Sequence, residues 1–345
     1  MARFSSGLDF IRGGVPVPYI EPEVPGSSMP EISVNDWLLG EDQPAVRYFA
    51  LTELLGQDSN GHDVKRAYGD IPKKGWASDI LKLQKPDGRW QSRPKGSLYG
   101  PKYTATNWRA LVLSDFGLTK TNLQVRKTAE LFFSEWMADP PAENIFHDEV
   151  CIVGNTARML TRFGYEDDHR VKKLFGRLLE DQKEDGGWHC FKSDLGSLDC
   201  WEALAAFAAL PKEKRTRGIN RSIERGAEFY LARRLYDDGE KRYAPWFRLH
   251  YPNHYYYDIL VGLDVMTRLG FGDDRRLKPA LDLLSAKMLP GGVWAMDRHH
   301  PDIGPGAHYS LRKRPRVFAL EEESKPSKWI TLKALLVRKR VAESN

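Results

Sequence analysis

LQKPDGRW, residues 83–90, and DQKEDGGW, residues 181–188, are the two stretches from which the fold can be read. In both, Gln stands four residues before Gly and six before Trp: Gln84, Gly88 and Trp90, then Gln182, Gly186 and Trp188. A weakened third copy, KMLPGGVW (287–294), keeps Gly292 and Trp294 and has Met288 in the glutamine's place. Repetition at a long, regular interval marks a chain assembled from similar supersecondary units. Each interval leaves room for two helical hairpins. The expected role of the motif is structural: glycine turns the chain tightly, tryptophan packs over the turn, and glutamine bonds to a neighbouring helix end.

Between the copies, six segments carry the apolar periodicity of buried helices. They are PAVRYFALTELLG (44–56), TNWRALVLSDFG (106–117), CIVGNTARMLTRFG (151–164), CWEALAAFAAL (200–210), YYDILVGLDVMTRLG (256–270) and WITLKALLVRK (329–339). Four of them close on Gly56, Gly117, Gly164 and Gly270, as a helix C-terminus does. HRVKKLFGRLLEDQ and RSIERGAEFYLARRLY, between them, are amphipathic and suit an outer layer. Asp167–Asp168 and Asp273–Asp274 precede outer helices, where a carboxylate satisfies free N–H groups. No useful β-alternation occurs. The expected class is all-α, with residues 1–43 as an N-terminal extension and 44–345 as one domain.

Composition narrows the function. The chain has 345 residues, 41% hydrophobic and 29% charged, with 52 basic and 47 acidic side chains and three cysteines. Such a chain builds a large core, and it has no apolar run long enough to span a bilayer. The opening MARFSSGLDFIRGG lacks the apolar stretch of a secretory leader. Three cysteines do not make a disulfide framework, so a cytoplasmic location is expected. From residue 301 onward, ten Lys and Arg face five Asp and Glu, while the first 300 residues are balanced. LRKRPR (311–316) has no recognition motif beside it, so no specific nucleic-acid partner is expected.

With Gln-x3-Gly-x-Trp after a helix and GY-x-DD-x-RV between paired helices, the chain resembles the squalene/hopene cyclase and protein prenyltransferase superfamily over about residues 43 to 340. This resemblance implies an α/α toroid, about six inner and five to six outer helices around a central cavity. It also implies terpenoid chemistry, although fold does not fix function. Class II cyclases protonate their substrate from an Asp-x-Asp-Asp motif, which is absent here. Protein prenyltransferases hold zinc through Asp and Cys at one inner helix and His at the next. Asp199, Cys200 and His254 sit at comparable places, with Asp and Cys adjacent here instead of separated by one residue.

Connections from inner to outer helices are short, whereas those returning are long: 91–105, 137–150, 189–199, 237–253 and 295–327. In a toroid the long loops share one rim, and long loops on a rigid frame commonly carry function. Seven of nine histidines, His147, His189, His250, His254, His299, His300 and His308, fall on that side. The pocket is therefore expected to open there.

Three groups of residues are candidates. Cys151, Cys190 and Cys200, with His189, His147 or His254 as a fourth ligand, offer sulfur and nitrogen to zinc. Asp199, Glu202, Asp258 and Asp264 are carboxylates that can face the cavity. Asp258 follows His254 by four residues, one helical turn, so the two suggest a base and its orienting partner. Catalysis is expected from His254, Asp258, Asp199, Glu202 and Tyr257. The aromatic run YAPWFRLHYPNHYYY (243–257) supplies π faces. Trp246, Tyr251, Tyr255 and Tyr256 from it, with Trp201, are the expected substrate contacts. Arg93, Lys95, Lys102, Arg248, Arg298 and the 312–316 stretch add positive charge.

The function expected from these residues is an enzyme acting by acid–base chemistry on a hydrophobic or aromatic, terpenoid-like small molecule, with zinc assistance. It would be a lyase, isomerase, hydrolase or transferase. A carbohydrate lyase or hydrolase on a helical toroid and a non-catalytic ligand-binding toroid are the alternatives.

Overall fold

A computed structural model describes residues 33–92, 98–138, 149–237, 243–299 and 319–344. The described residues belong to one unit that begins at Ser33. His147, His300, His308, the 311–316 basic stretch and most of the expected N-terminal extension lie outside them.

The protein is mostly helical. The six apolar segments form α2 (Pro44–Phe49), α5 (Thr106–Asp115), α7 (Val150–Leu160), α9 (Glu202–Ala209), α11 (Ile259–Leu269) and α13 (Lys328–Ser344). Interleaved with them are α3 (His62–Asp70), α4 (Gly75–Lys82), α6 (Leu123–Leu131), α8 (His169–Glu180), α10 (Arg217–Ala232) and α12 (Lys278–Ala286). A short α1 (Val34–Leu38) packs on α13. Two-residue strands, Met288–Leu289 and Val293–Trp294, pair antiparallel around the third repeat copy.

The burial pattern separates the two sets. Every residue of α7 is buried, and so are the first six of α9. A helix apolar on all sides must be covered on all sides. By contrast, α8 and α10 bury one stripe only, Val171, Leu174, Phe175 and Leu178 in α8. Contacts among the buried set run from α5 to α7, α9, α11, α13 and α2 in turn. Phe49 of α2 then reaches Gly117 just beyond α5, where a Cβ would stand 3.1 Å from its ring. At Gly154, an added Cβ would lie 2.7 Å from the Glu202 carbonyl carbon, so α7 and α9 approach as closely as glycine permits.

The repeated motif has one geometry. Trp90, Trp188 and Trp294 each donate their indole N–H to the carbonyl ten residues earlier, Ile80, Leu178 and Leu284, at 2.7, 2.8 and 2.7 Å. Gly88, Gly186 and Gly292 all have positive φ. Gln182 donates to Gly186 O and to Ser222 O of α10, tying one hairpin to the next. Gln84 does the same toward Gly88 O and Gln124 O of α6. With Met288 in this place, the third copy has no such amide, and the strand pair occupies its turn. Asp168 and Asp274 cap the elements that follow them, accepting from Arg170 N and Arg276 N.

Three helices widen into a π turn: α2 through Ala50–Leu54, α6 through Phe132–Trp136 and α7 through Thr161–Tyr165. Two of these turns carry residues of the cavity described below, as π turns often do. No helix among the described residues is long and apolar enough to cross a membrane.

Since Trp188 is fully buried and its N–H satisfies a helix-end carbonyl, Trp188→Ala should cost about 3–5 kcal/mol. Gln182→Ala, which loses two bonds donated by Nε2 and a long one accepted from Arg225 at a half-buried site, should cost about 1–2 kcal/mol. Urea unfolding midpoints of the two variants check this order.

Candidate functional site

The buried helices enclose a cavity of about 310 Å³, lined from α2, α5, α7, α9, α11, α13 and the 250–253 segment. Its walls are apolar and aromatic: Phe49, Trp201, Ala205, Val261, Trp329 and Ile330 among others. Exposure along the lining is graded. Glu53, Asp115, Arg162 and Arg268, near the C-terminal ends of their helices, keep 31, 17, 25 and 26% of their side chains exposed. Trp201, His250, Tyr251 and Asp258, at the other end, are buried. Among the described residues, then, solvent reaches the cavity from the end where the short connections leave. This reverses the expectation that the long-loop rim is the mouth. The loops instead supply the floor, because their aromatic residues pack inward.

The open end is an ion network. Asp264 accepts from Arg268, Lys333 and Arg340 at 3.0, 2.9 and 2.8 Å. Glu53 accepts from Arg268 and Arg340 at 3.1 and 2.9 Å. Asp115 binds Arg162, and Tyr251 donates its hydroxyl to Asp115 at 3.3 Å. Burial alone would raise the Asp264 carboxyl, but Arg268, Lys333 and Arg340 outweigh it and hold the group well below the usual range. Burial pushes Lys333 down to about 8.

At the floor, Asp258 caps α11 through Val261 N at 2.9 Å. Its other oxygen lies 2.9 Å from His250 Nδ1 and accepts His250 N–H at 3.1 Å and Asn253 Nδ2 at 3.4 Å. Nδ1 also lies 3.1 Å from Arg248 O. Both neighbours of Nδ1 are acceptors, so Nδ1 carries a proton, and in the neutral ring Nε2 then keeps its lone pair. Nε2 is buried and has no hydrogen-bond partner. His250 lines the cavity and is only 2% exposed.

The structure therefore corrects the expected pairing. Asp258 holds His250, not His254. The helical spacing on which the His254 pairing relied does not exist, since α11 begins at Ile259 and His254 sits in a turn at φ 51°. The His254 ring stacks on Tyr103 and meets Trp108 edge-on. Its backbone oxygen accepts from Asn155. Burial pushes its imidazole down to about 3. It does not line the cavity.

The remaining expected catalytic residues also stand away from the lining. Asp199 is exposed and accepts from Trp246 Nε1 at 2.7 Å. Tyr257 donates to Leu235 O at 2.8 Å, a packing role inside the core. Glu202 is fully buried with neither carboxyl oxygen hydrogen-bonded, and burial raises its pKa strongly.

Of the expected substrate contacts, Trp201 and Tyr251 line the cavity. Trp246, Tyr255 and Tyr256 do not. Tyr255 and Tyr256 join hydroxyls at 3.0 Å, and Tyr255 meets Tyr103 and Lys102. The tyrosine run mostly builds a polar–aromatic plug under the floor.

The three cysteines do come together. Cys200 Sγ lies 3.5 Å from Cys190 Sγ, which also accepts Cys151 N–H at 3.3 Å. Cys151 Sγ lies 3.6 Å from Glu149 Oε2. Hydrogen bonding from Cys151 and Cys200 lowers the Cys190 thiol and raises the other two. His189 Nδ1 accepts from Phe191 N at 3.0 Å, turning that nitrogen back on its own loop. Among the described residues, no group of three or more His, Cys, Asp and Glu is placed so that it could hold a metal ion.

Several lining residues escaped the sequence reading: His250, Arg158, Arg162, Asp115, Arg268, Lys333 and Trp329. A signal for them existed. Arg158 and Arg162, Asp264 and Arg268, and Lys333 interrupt helices that are otherwise apolar all round, and a charge in such a helix needs a cavity or a partner.

No protein-family model matches this chain, and a search of curated proteins finds no match.

The ion network fixes an acid response. The folded Asp264 carboxyl titrates below its unfolded value of about 4, so its stabilisation is present above pH 4 and fades as pH falls toward the folded value. Asp264→Asn should cost about 1–3 kcal/mol at pH 7. Thermal unfolding from pH 7 to 2 should show the gap between wild type and variant narrowing below pH 4.

Proposed function

We propose that this chain is an enzyme that performs proton transfer on a small hydrophobic or aromatic molecule, terpenoid-like in character, bound in the central cavity. His250 is the group that takes and returns the proton, and Asp258 orients it. The observation that carries this reading is the His250–Asp258 contact at 2.9 Å, with Nε2 unpartnered at the cavity floor.

The chemistry follows from the tautomer. Nε2 accepts a proton from a substrate C–H or O–H, the imidazolium is stabilised by Asp258 and exchanges its Nε2 proton with solvent, and Nε2 then delivers a proton to a substrate atom. Isomerisation returns it to another carbon and elimination gives it to the leaving group, whereas in hydrolysis Nε2 would take the proton from the attacking water. Trp201, Tyr251 and Trp329 supply aromatic faces for the substrate body. The cavity volume, at the lower end of small-molecule sites, favours a compact substrate over a polysaccharide strand. That weighs against the carbohydrate alternative.

The fold in this reading is an α/α toroid akin to the squalene/hopene cyclase and protein prenyltransferase superfamily. What supports it is the succession of contacts through α5, α7, α9, α11, α13 and α2, with the other helices packed outside. The initiating acid differs from that superfamily's cyclases, for the Asp-x-Asp-Asp motif is absent.

Zinc belongs to the proposal as a second element. Convergence of all three cysteines favours it, since a sulfur separation of 3.5 Å approaches the edge of a zinc–thiolate tetrahedron, about 3.8 Å for Zn–S bonds of about 2.3 Å. Cys151, Cys190 and Cys200 would hold the ion, with the His189 side chain turning to complete the set. Bound there, the metal would supply Lewis acidity or a structural clamp.

Two measurements test these readings. Ligands that raise the melting temperature in a screen of isoprenoids, steroids, aromatics and oligosaccharides are incubated with protein in D2O. Wild type should insert deuterium into a binding ligand, and His250→Gln should slow this by about 10²–10⁴-fold while binding persists. Equal exchange in both proteins contradicts the assignment. Elemental analysis of protein purified without added metal should give close to one zinc per chain, and Cys190→Ser should abolish it. A metal-free wild type removes zinc from the account.

A further inference from the structure

The cavity lining contains several cations, and all but one have a carboxylate partner among the described residues. Arg162 is bound to Asp115, Arg268 to Asp264 and Glu53, and Lys333 to Asp264. Arg158, on α7, has none. It makes no hydrogen bond and no ion pair among the described residues, and its Nε is buried without a partner. The residue is only 6% exposed, and its guanidinium carbon sits 4.9 Å from the centre of the Trp201 ring. Both side chains line the cavity.

A guanidinium left this way is costly, because a buried charge needs a partner and hydrogen bonds. The cation–π contact with Trp201 satisfies none of its N–H donors. Burial already pushes it below the usual arginine range, with Asp115 and, more weakly, Glu202 attracting it from a distance. The lining carboxylates are otherwise engaged: Glu53, Asp115 and Asp264 in the ion network, and Asp258 with His250. Glu202 on α9 is an unengaged carboxyl within electrostatic reach, but burial raises its pKa strongly, which favours the neutral acid, and it makes no bond to the guanidinium. No lining carboxylate is left to pair with Arg158.

We infer that Arg158 is the recognition residue for an anionic head group, and that the cavity takes a monocarboxylate with an apolar or aromatic body. The planar fork of arginine matches a carboxylate through two parallel N–H···O bonds. One unanswered positive charge calls for one negative charge. A phosphate ester or diphosphate would bring more charge than the site can neutralise and would meet Glu53, Asp115 and Asp264 as well. Trp201, Val261 and Trp329 receive the body of the ligand, while the carboxylate sits against Arg158. This inference rests on the cavity being the substrate site, and it names the substrate class.

The test uses full-length wild type, Arg158→Met and Arg158→Lys, with octanoate and 4-phenylbutyrate as probes. Their neutral counterparts are 1-octanol and 4-phenylbutanol, and phenyl phosphate is the dianionic comparison. Melting temperatures without ligand come first. Arg158→Met, which removes an unanswered buried charge at similar volume, should melt at or above the wild-type temperature, the signature of a group kept for binding. A drop of several degrees would mean that Arg158 is part of the core's own structure, and would overturn the inference. With ligand, the carboxylates should raise the wild-type melting temperature in a dose-dependent way, and the alcohols and phenyl phosphate should not. In Arg158→Met the carboxylate affinity should fall by roughly 10–100-fold, as expected for a charged hydrogen bond. Arg158→Lys should fall between them. Equal stabilisation by alcohols, stronger stabilisation by phenyl phosphate, or no response to either carboxylate would each overturn it. His250→Gln separates this inference from the proton-transfer reading. If His250→Gln binds carboxylates as wild type does and wild type exchanges no deuterium, the anion site stands and the chemistry assigned to His250 falls.

Discussion

A charge placed in a helix that is buried on every side must find either a partner or a cavity, and this one constraint organises the site. The α5, α7, α9 and α11 helices are packed so fully that only a few charged side chains interrupt them, and α13 adds the buried Trp329–Leu332 stretch beside Lys333. Where those interruptions meet, the structure has an ion network and an internal cavity instead of continuous core. Desolvation makes each such group expensive. The arrangement therefore spends its carboxylates carefully: Asp264 serves three cations, Glu53 two, and Asp258 the imidazole. The apolar faces of Phe49, Trp201 and Trp329 fill the wall between them.

The tryptophan repeats make that arrangement possible at a distance. Each indole N–H is tied to a carbonyl near the end of the preceding helix, so the chain leaving α4, α8 and α12 is pinned back by the same bond each time. Glutamine adds a link to the following helix in two of the three copies. Reversals pinned in this way bring successive buried helices side by side, which is how residues more than a hundred positions apart, such as Asp115 and Tyr251, come to share a hydrogen bond. No residue of the motif lines the cavity. The motif's contribution to function is the frame.

The fold was more legible than the site, for a physical reason. Helix identity and the repeat are local: apolar spacing, a glycine stop and a Gln–Gly–Trp offset all operate within a dozen residues. Gly117, Gly164 and Gly270 do end their helices at positive φ, and Asp168 and Asp274 do cap the next ones. The site depends on where helices begin and on which loop folds under which helix end. Asp258 was recognisable as a buried carboxylate, yet its partner was misassigned by one turn because the chain from 250 to 257 is not helical. That stretch doubles back, so His250, eight residues away, reaches the Asp258 side chain while His254 turns toward Tyr103. The cysteines are expected near one another from their places beside consecutive helices, and Cys190 Sγ does contact Cys200 Sγ and the Cys151 N–H. The mouth is expected on the long-loop rim and lies at the other end, since loop length says nothing about whether a loop covers or opens a cavity.

The central claim is that His250 presents an unprotonated Nε2 to the cavity while Asp258 and Arg248 O hold the proton on Nδ1. Nitrogen-15 NMR of the histidine rings, assigned with His250→Gln, reads this directly at pH 7.5. The account predicts an Nδ1–H tautomer for His250 that converts to the opposite or to a mixture in Asp258→Asn. Finding Nε2–H in the wild type, unchanged by Asp258→Asn, would contradict it.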